Sequence, residues 1–138
     1  MPQLLGECDN MLCILRVVVD RERFNELRSG LKITPYRIDS ETDSDPGRIT
    51  VHYDVLESDS PFERYISDVL EVLELHKPDL DTLRMGGAGY LELDLAVDLS
   101  SDKYASNFRL RADALSALAR YGVAMNIALY QTAPSDTK

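Results

Sequence analysis

Hydrophobic and polar residues alternate along two stretches of the chain, and strict alternation is typical of a β-strand with one face buried. In the clearer stretch, residues 90–99, an aliphatic residue occupies every second position. Residues 48–56 alternate in the same way, with Ile49, Val51, Tyr53 and Val55 on one side. Two further runs, 11–19 and 123–130, are apolar and short, and predict two more strands. The first of these is expected to be covered on one face and partly on the other.

Between the strands, apolar residues recur at helical spacing. After the first strand, Asp20 is placed to cap a helix that ends before Gly30 and Pro35. A second helix begins at Ser60, with proline at the next position and Glu63 three residues after the cap, so three helix-start signals coincide. Its predicted apolar stripe consists of Phe62, Ile66, Val69, Leu70 and Leu73.

A third helix is predicted over residues 108–121, with Leu115, Leu118 and Ala119 inward and Gly122 at its end. Strands and helices therefore alternate along the chain. Parallel strands that are covered on both faces should be apolar throughout, whereas the strands at 48–56 and 90–99 are polar on one side. The sequence predicts an α+β two-layer sandwich, in which helices pack on one face of a four-stranded, mostly antiparallel or mixed sheet.

Length and local composition predict one domain. The chain 1–138 is expected to form a single core, ordered over about 11–131, followed by a polar tail from 133. Residues 36–47 are rich in Asp, Ser and Thr and predict a solvated loop, and residues 101–107 predict another.

The charge balance narrows the range of partners. The chain contains 24 Asp and Glu against 15 Lys and Arg, a formal net charge of -9, which repels nucleic acid and anionic lipid. Its longest apolar run is interrupted by Arg16 and is too short to cross a membrane. We therefore expect no nucleic-acid or membrane partner. Because the N-terminus lacks the pattern of a secretory signal, we expect a cytoplasmic location. A disulfide between Cys8 and Cys13 would close only a small loop, so we expect reduced thiols.

Motifs that would indicate catalysis or a cofactor are incomplete. The loop Asp39-x-Glu41-x-Asp43 spaces its carboxylates as a calcium loop does, but Ser44 stands where a glycine is required, and Thr50 where a bidentate Glu is required. The glycine-rich segment ahead of residue 90 precedes a strand, whereas a phosphate-binding loop follows a strand and opens a helix. We expect no catalytic residue, no metal and no cofactor.

Three segments are similar to parts of one known family. They are Leu31-Lys-Ile-Thr-Pro35, the strand Val51-His-Tyr-Asp-Val55 that leads into a long acidic helix, and the closing Ala119-Arg-Tyr-Gly-Val123 through Ala128-Leu-Tyr130. Together they resemble the bacterial domain-of-unknown-function family 4279. That family often has tryptophan in the second strand, where this chain has Tyr53 as its nearest aromatic residue. The resemblance implies a small α+β domain and transfers no functional residue.

The candidate site is the polar second face of the predicted sheet. Its residues are His52, Asp54, Tyr90, Glu92, Asp94, Asp98, Asn126 and Tyr130. If the strands that carry them are adjacent, these side chains align into an acidic surface with tyrosines. Tyrosines supply contact area and carboxylates steer association with a basic partner.

The favoured hypothesis is a non-enzymatic binding protein whose acidic sheet face docks a basic protein, for example as an immunity-type inhibitor of a toxin. A merely solvated polar face is an equally simple interpretation. A small-ligand-binding domain or small enzyme, using the carboxylates and His52, would instead require a concave pocket and a perturbed carboxylate on this face. Self-association, through the face or through an edge strand, is a further alternative.

Overall fold

The computed structural model describes residues 10–40, 47–99 and 108–131. Its strands are β1 (Asn10–Asp20), β2 (Arg37–Ser40), β3 (Arg48–Ser58), β4 (Tyr90–Leu99) and β5 (Ala124–Gln131). Its α-helices are α1 (Arg21–Leu27), α2 (Phe62–Leu75), α3 (Lys77–Met85) and α4 (Ala112–Tyr121), and a 3₁₀ turn, Arg28–Gly30, follows α1. The predicted loop 101–107 and the predicted polar tail from 133 lie outside these residues.

The described strands form one mixed five-stranded sheet in the order β2-β3-β1-β4-β5. The central strand β1 pairs antiparallel with β3 on one side and with β4 on the other. At the two edges, β2 pairs antiparallel with β3, and β5 pairs parallel with β4. The predicted α+β class with a mixed sheet is confirmed, while the predicted number of four strands is wrong. The missed strand, β2, lies in the segment predicted as a solvated loop, because a short, polar edge strand has no hydrophobic alternation to reveal it.

The hydrophobic core lies between the helices and one face of the sheet. Since side chains alternate along a strand, every second residue is buried there. The sheet contributes Met11, Cys13, Leu15, Val17, Val19, Ile49, Val51, Tyr53, Leu91, Leu93, Leu95 and Val97. The helices contribute Phe24, Tyr65, Ile66, Val69, Leu73, Leu80, Leu83, Ala114, Ala117, Leu118 and Tyr121. The buried side chains of all the described helices thus belong to a core on one face of the sheet.

A β-bulge interrupts the alternation of β3. Cys13 pairs with Leu56, but the next residue of β1, Ile14, pairs with Asp54, so Val55 is an extra residue in the ladder. Val55 and Leu56 are both partly buried against the core. The regular alternation predicted for this strand therefore ends at Val55.

Helix boundaries follow some of the predicted signals. Asp20 caps α1, since its Oδ2 accepts the backbone N–H of Arg23 at 3.2 Å. Gly122 ends α4 in the left-handed conformation, with φ of 69°. The predicted capping role of Ser60 is wrong, because α2 has no side-chain cap and the Ser60 hydroxyl lies 2.8 Å from that of Ser58.

The last helix is shorter than predicted, and the residues that it buries differ in part from the predicted ones. It begins at Ala112 rather than at residue 108, and it buries Ala114, Ala117, Leu118 and Tyr121. Leu115 and Ala119, predicted to face inward, are exposed. The buried positions 114, 117, 118 and 121 recur at helical spacing and form one face of α4, and the small Ala114 and Ala117 on it allow close packing against the neighbouring elements.

A buried carboxylate on α3 fixes the connection between α1 and β2. Asp79 is 4% exposed, and its Oδ2 accepts the backbone N–H groups of Lys32 and Ile33, each at 2.9 Å. Buried backbone donors require such a partner. Asp79 therefore has a structural role, holding the segment that leads into β2.

Candidate functional site

The face of the sheet opposite the helices is the open face, and all five strands contribute to it. It consists of Arg37 and Asp39 of β2, Arg48, Thr50, His52, Asp54 and Glu57 of β3, Asn10, Leu12, Ile14, Arg16 and Val18 of β1, Tyr90, Glu92, Asp94, Ala96 and Asp98 of β4, and Ala124, Asn126, Ala128 and Tyr130 of β5. All the residues predicted for the candidate site lie on this face.

The predicted residues do not form one continuous acidic surface, because β1 separates β3 from β4. His52 pairs with Arg16 on one side of β1, and Glu92 pairs with the same arginine on the other. Ile14 lies in the same way between Asp54 and Asp94. A strip of Leu12, Ile14, Arg16 and Val18 therefore divides the acidic residues into two groups.

One end of the open face, the acidic half, combines carboxylates with apolar residues. It comprises Asp54, Glu57, Asp94 and Asp98 around Leu12, Ile14, Ala96 and Ala128, with Tyr130 beside them. Asp94 accepts a hydrogen bond from Asn126 at 2.9 Å and forms an ion pair with Arg16 at 2.8 Å. Leu12 is 40% exposed and Tyr130 is 60% exposed. The acidic half therefore presents apolar and aromatic surface to its surroundings.

The other end of the open face is a shallow concavity, the His52 depression. Its volume is about 440 Å³, and it is lined by Arg16, Val18, Arg37, Asp39, Thr50, His52, Tyr90 and Glu92. Asp39 Oδ2 lies 3.0 Å from His52 Nε2 and 2.9 Å from Arg37 Nε. Across the depression, the Tyr90 hydroxyl donates to Glu92 Oε2 at 2.8 Å.

Electrostatics in the depression favour fixed hydrogen bonds over proton transfer. The hydrogen bond from Arg37 is the main cause that lowers the pKa of Asp39, with a smaller contribution in the same direction from His52. The hydrogen bond to Glu92 raises the pKa of Tyr90. Asp39 is therefore ionised and Tyr90 protonated near neutral pH, and neither group is tuned toward the operating pH as a general acid or base should be.

His52 is buried, at 7% exposure, although its place on a polar strand face predicted an exposed side chain. Asp39 of β2 contacts its Nε2, and the Tyr36 ring centroid lies 5.9 Å from that of the imidazole. Its Nδ1 is buried, and none of the described residues forms a hydrogen bond with it. The prediction failed because β2, which brings Asp39 beside β3, was not recognised.

Sequence reasoning also missed the basic residues of the site. In the sequence, Arg16 interrupts an apolar run, and Arg37 lies in a segment that predicts a solvated loop. An arginine at a second-face position of a central strand is itself a signal, since it must pair or reach solvent at that position. Here it pairs with Asp94.

Titratable groups on the core face are unsuited to chemistry. Burial, followed by the negative charge of Asp94, raises the pKa of the free Cys13 thiol to about 12. Burial also raises the pKa of Tyr53 to about 12, and it raises that of Tyr65, whose hydroxyl donates to the Leu56 carbonyl at 2.6 Å. These groups remain protonated at neutral pH and belong to the core.

A second concavity lies on the helix side, between α2 and the start of α4. Its volume is about 370 Å³, and its lining includes Arg64, Arg109, Arg111, Glu63 and Asp113. Charges of both signs surround it, and none of the predicted site residues contributes to it.

Known proteins add no functional assignment. The chain matches no protein-family model, no curated protein sequence and no solved structure.

In the parts of the chain that the structure describes, no three His, Cys, Asp or Glu side chains form a group suited to a metal ion. Asp39 is engaged with Arg37 and His52, and the other carboxylates of the calcium-like pattern, Glu41 and Asp43, lie outside those parts. No helix of the described residues is long and apolar enough to cross a bilayer.

Proposed function

We propose that this protein is a non-enzymatic binding protein that docks a basic protein partner on the acidic half of the open face. The observation that carries the proposal is that three of the four strip residues at the centre of this polar face, Leu12, Ile14 and Val18, are apolar. A sheet face that is only solvated is expected to be polar along its central strand. In β1, however, Leu12 is 40% exposed, and Ile14 and Val18 are partly exposed. An apolar centre with a polar rim is the usual anatomy of a protein interface.

The charge of the rim selects the partner. Asp54, Glu57 and Asp98 are exposed around the strip, and the whole chain has a net charge of -9. Such a distribution accelerates encounter with a basic protein and disfavours acidic ones. Tyr130, at 60% exposure, adds the kind of large, semi-rigid side chain that dominates binding energy in many interfaces.

An immunity-type inhibitor of a basic toxin, acting in the cytoplasm, is one form that this function would take. The proposal assigns no catalytic residue, no metal and no cofactor. A place in the domain-of-unknown-function family 4279, which we also propose from the segments quoted above, is compatible with it because that resemblance implies a fold and no activity.

Two charge-reversed variants test the proposal. The first replaces three carboxylates of the open face, Asp54→Lys, Glu57→Lys and Asp98→Lys. The matched control replaces three exposed carboxylates of α1 and α2, Glu22→Lys, Glu63→Lys and Glu71→Lys. Both variants have the same net charge, so any difference between them reports the location of the charge rather than its amount.

Wild type, open-face variant and control are used as baits in a lysate of the source organism, and retained proteins are identified by mass spectrometry. We expect a basic protein that is retained by the wild type and by the control but not by the open-face variant. Titration of that protein by calorimetry at low and high salt should show weaker binding at high salt. Retention by all three baits, an acidic captured protein, or no captured protein would contradict the proposal.

A second candidate function uses the His52 depression as a small-molecule site. Its volume of about 440 Å³ lies within the common size range of ligand pockets, and it contains the perturbed carboxylate Asp39. This alternative predicts that a metabolite raises the melting temperature of the wild type but not that of Arg37→Gln. Arg37 is chosen because it is exposed and lies at the sheet edge, so its loss should leave the fold intact. If no compound in a broad metabolite library shifts the wild type, this alternative is wrong.

A further inference from the structure

The two edges of the sheet are protected to different degrees. The edge strand β2 has only four residues, Arg-Ile-Asp-Ser, and Pro35 precedes it. Short edge strands with charges and a nearby proline resist pairing with other chains. The opposite edge strand, β5, has eight residues, Ala-Met-Asn-Ile-Ala-Leu-Tyr-Gln, without any charge, proline or glycine. Of the two edge strands that the structure describes, β2 therefore carries the usual protective features in its own sequence and β5 does not.

The outer side of β5 offers a row of backbone hydrogen-bonding groups. β5 pairs with β4 on one side, and no strand of residues 10–40, 47–99 or 108–131 pairs with its other side. At 3.3 Å per residue, its length is roughly 26 Å. A long, uncharged row of this kind is a template for pairing with a further strand.

Exposed apolar side chains lie at the same edge. Leu129 is 52% exposed on the helix side of β5, since it pairs with buried Val97, and Tyr130 is 60% exposed on the open face. The helix α4, which contacts both α2 and β5, adds Leu115 at 51% exposure. Asp113 of α4 lines the second concavity, the one beside α2. Two residues along an α-helix correspond to a rotation of about 200°, so Leu115 lies on roughly the opposite side of α4 from Asp113. Leu115 thus faces away from the concavity beside α2, on the helix that contacts β5.

We propose that β5 is the site at which two copies of this chain join, by antiparallel pairing of their β5 strands into one continuous sheet. Antiparallel pairing of a strand with itself gives a two-fold interface, in which the same patch serves both subunits. Leu129 and Leu115 of each copy then lose their contact with water, and the outer backbone groups of β5 gain partners.

Among the described residues, the uncharged β5 edge is a surface on which the chain's own negative charge opposes a second copy little. With a net charge of -9, two copies repel each other wherever carboxylates meet, and β5 is an uncharged strip. The nearest carboxylates of the open face, Asp94 and Asp98, lie on β4, one strand inside the edge. In the pair, the two β4 strands are separated by three strand spacings, roughly 14 Å, which exceeds the Debye length at physiological salt.

The mass in solution tests this proposal directly. Light scattering and sedimentation of the wild type between about 1 and 200 μM should give twice the 15.5 kDa mass of one chain. Leu129→Lys, alone and together with Leu115→Lys, places a charge at the edge and should weaken the dimer by about 100-fold or more. Leu75→Lys is the matched control, since Leu75 is 74% exposed at the end of α2, and it should stay dimeric.

A folded monomer and an unfolded chain are distinguished by circular dichroism of each variant. Should Leu129→Lys fail to fold, Asn126→Lys is used, because Asn126 is exposed on the open-face side of β5. Amide hydrogen exchange gives a second measurement on the wild type. Protection of amides throughout β5 that increases with protein concentration indicates strand pairing, whereas fast exchange at alternate amides at every concentration indicates a free edge.

A wild type that is monomeric at 200 μM would overturn the proposal, as would a dimer that Leu129→Lys with Leu115→Lys leaves intact. Pairing of a monomeric wild type with a foreign extended peptide would assign the edge to a different partner and would also overturn it. The proposal is independent of the docking function, because the Asp54→Lys, Glu57→Lys, Asp98→Lys variant should remain dimeric. Loss of partner binding and loss of the dimer are therefore distinguishable.

Discussion

The two faces of the sheet consist of alternate residues of the same strands, yet they have opposite chemistry. On the core face, Leu93 and Cys13 are completely buried, and the pKa of the thiol is raised to about 12. On the open face, Arg16 pairs with Asp94 and Tyr90 with Glu92, in positions that retain some exposure. Period-two alternation makes this separation possible, because consecutive residues of a strand point to opposite sides.

The comparison indicates how stability and recognition are distributed in the molecule. Core-face side chains are replaced only at the cost of packing, since protein interiors are close-packed. Open-face side chains are partly solvated, so replacing them should change binding while the fold is retained.

The largest difference is expected in thiol reactivity. The Cys8→Ser variant leaves Cys13 as the single thiol. Its reaction with iodoacetamide at pH 8 should be at least roughly 1,000-fold slower in the native protein than in 6 M guanidinium chloride, because Cys13 is exposed only by unfolding. Leu12→Cys, on the open face of the same strand, should react in the native state at nearly the rate of a free thiol. A readily alkylated Cys13 would show that the core face opens locally.

Truncation of aliphatic residues should separate the two faces next. Leu93→Ala removes a completely buried side chain from the strand beside the centre of the sheet, and should lower the free energy of unfolding by about 3 kcal/mol. Ile14→Ala, on the open face, should lower it by less than about 1.5 kcal/mol, because Ile14 is partly solvated. Urea unfolding measures both. Equal losses would mean that the open face is covered in the folded protein.

Removal of one hydroxyl from each side of the sheet, Tyr65 of α2 on the core side and Tyr130 of β5 on the open side, gives a smaller contrast. Tyr65→Phe leaves the Leu56 carbonyl without its buried donor, and should reduce the free energy of unfolding by about 1 to 1.5 kcal/mol. Tyr130→Phe, at a residue that is 60% exposed, should have no measurable effect on unfolding. A destabilised Tyr130→Phe would indicate that Tyr130 has a buried partner.

The ion pair on the open face should contribute little to stability. Asp94→Asn removes the charge that pairs with Arg16, whose side chain is 40% exposed, and should cost less than about 1 kcal/mol. The difference between this variant and the wild type should shrink further in 1 M salt. A cost of several kcal/mol that salt leaves unchanged would contradict the partly solvated description of the open face.

The smallest effect concerns pH. Because the pKa of Asp39 is lower in the folded than in the unfolded protein, its contribution to stability is present above the unfolded pKa. It is lost as the pH falls from about 4 through the lower, folded pKa. Asp39→Asn should therefore show a slightly shallower loss of stability than the wild type below about pH 4, measured by urea unfolding. Identical acid profiles would show that Asp39 is not coupled to folding.

Much of the fold could be predicted from local patterns. The strand Tyr90–Leu99 has the predicted bounds, and β1, β3 and β5 lie within two residues of theirs, because alternation and apolar runs are properties of the sequence alone. The cap at Asp20 and the helix end at Gly122 also follow from single residues. Ser60 did not act as predicted, because a hydroxyl that can cap can equally bond to a neighbouring serine.

The candidate site was predictable only in part. Alternation placed His52, Asp54, Glu92 and Asp94 on the correct face, but it contains no information about which strands are neighbours. Insertion of β1 between β3 and β4 brought Arg16 to the middle of the site. The edge strand β2 brought Asp39 to His52 and buried the imidazole.

The sequence by itself determined the four longer strands, the side of each that is mainly buried, and the acidity of the other side, since these depend on the period of the chain and on its composition. The tertiary structure alone decided the strand order, the β-bulge at Val55, the burial of His52 and the place of β5 at the edge of the described sheet. These features arise from pairing between residues that are distant in the chain. Such pairing depends on the free energy of the whole fold, which no local pattern of residues specifies.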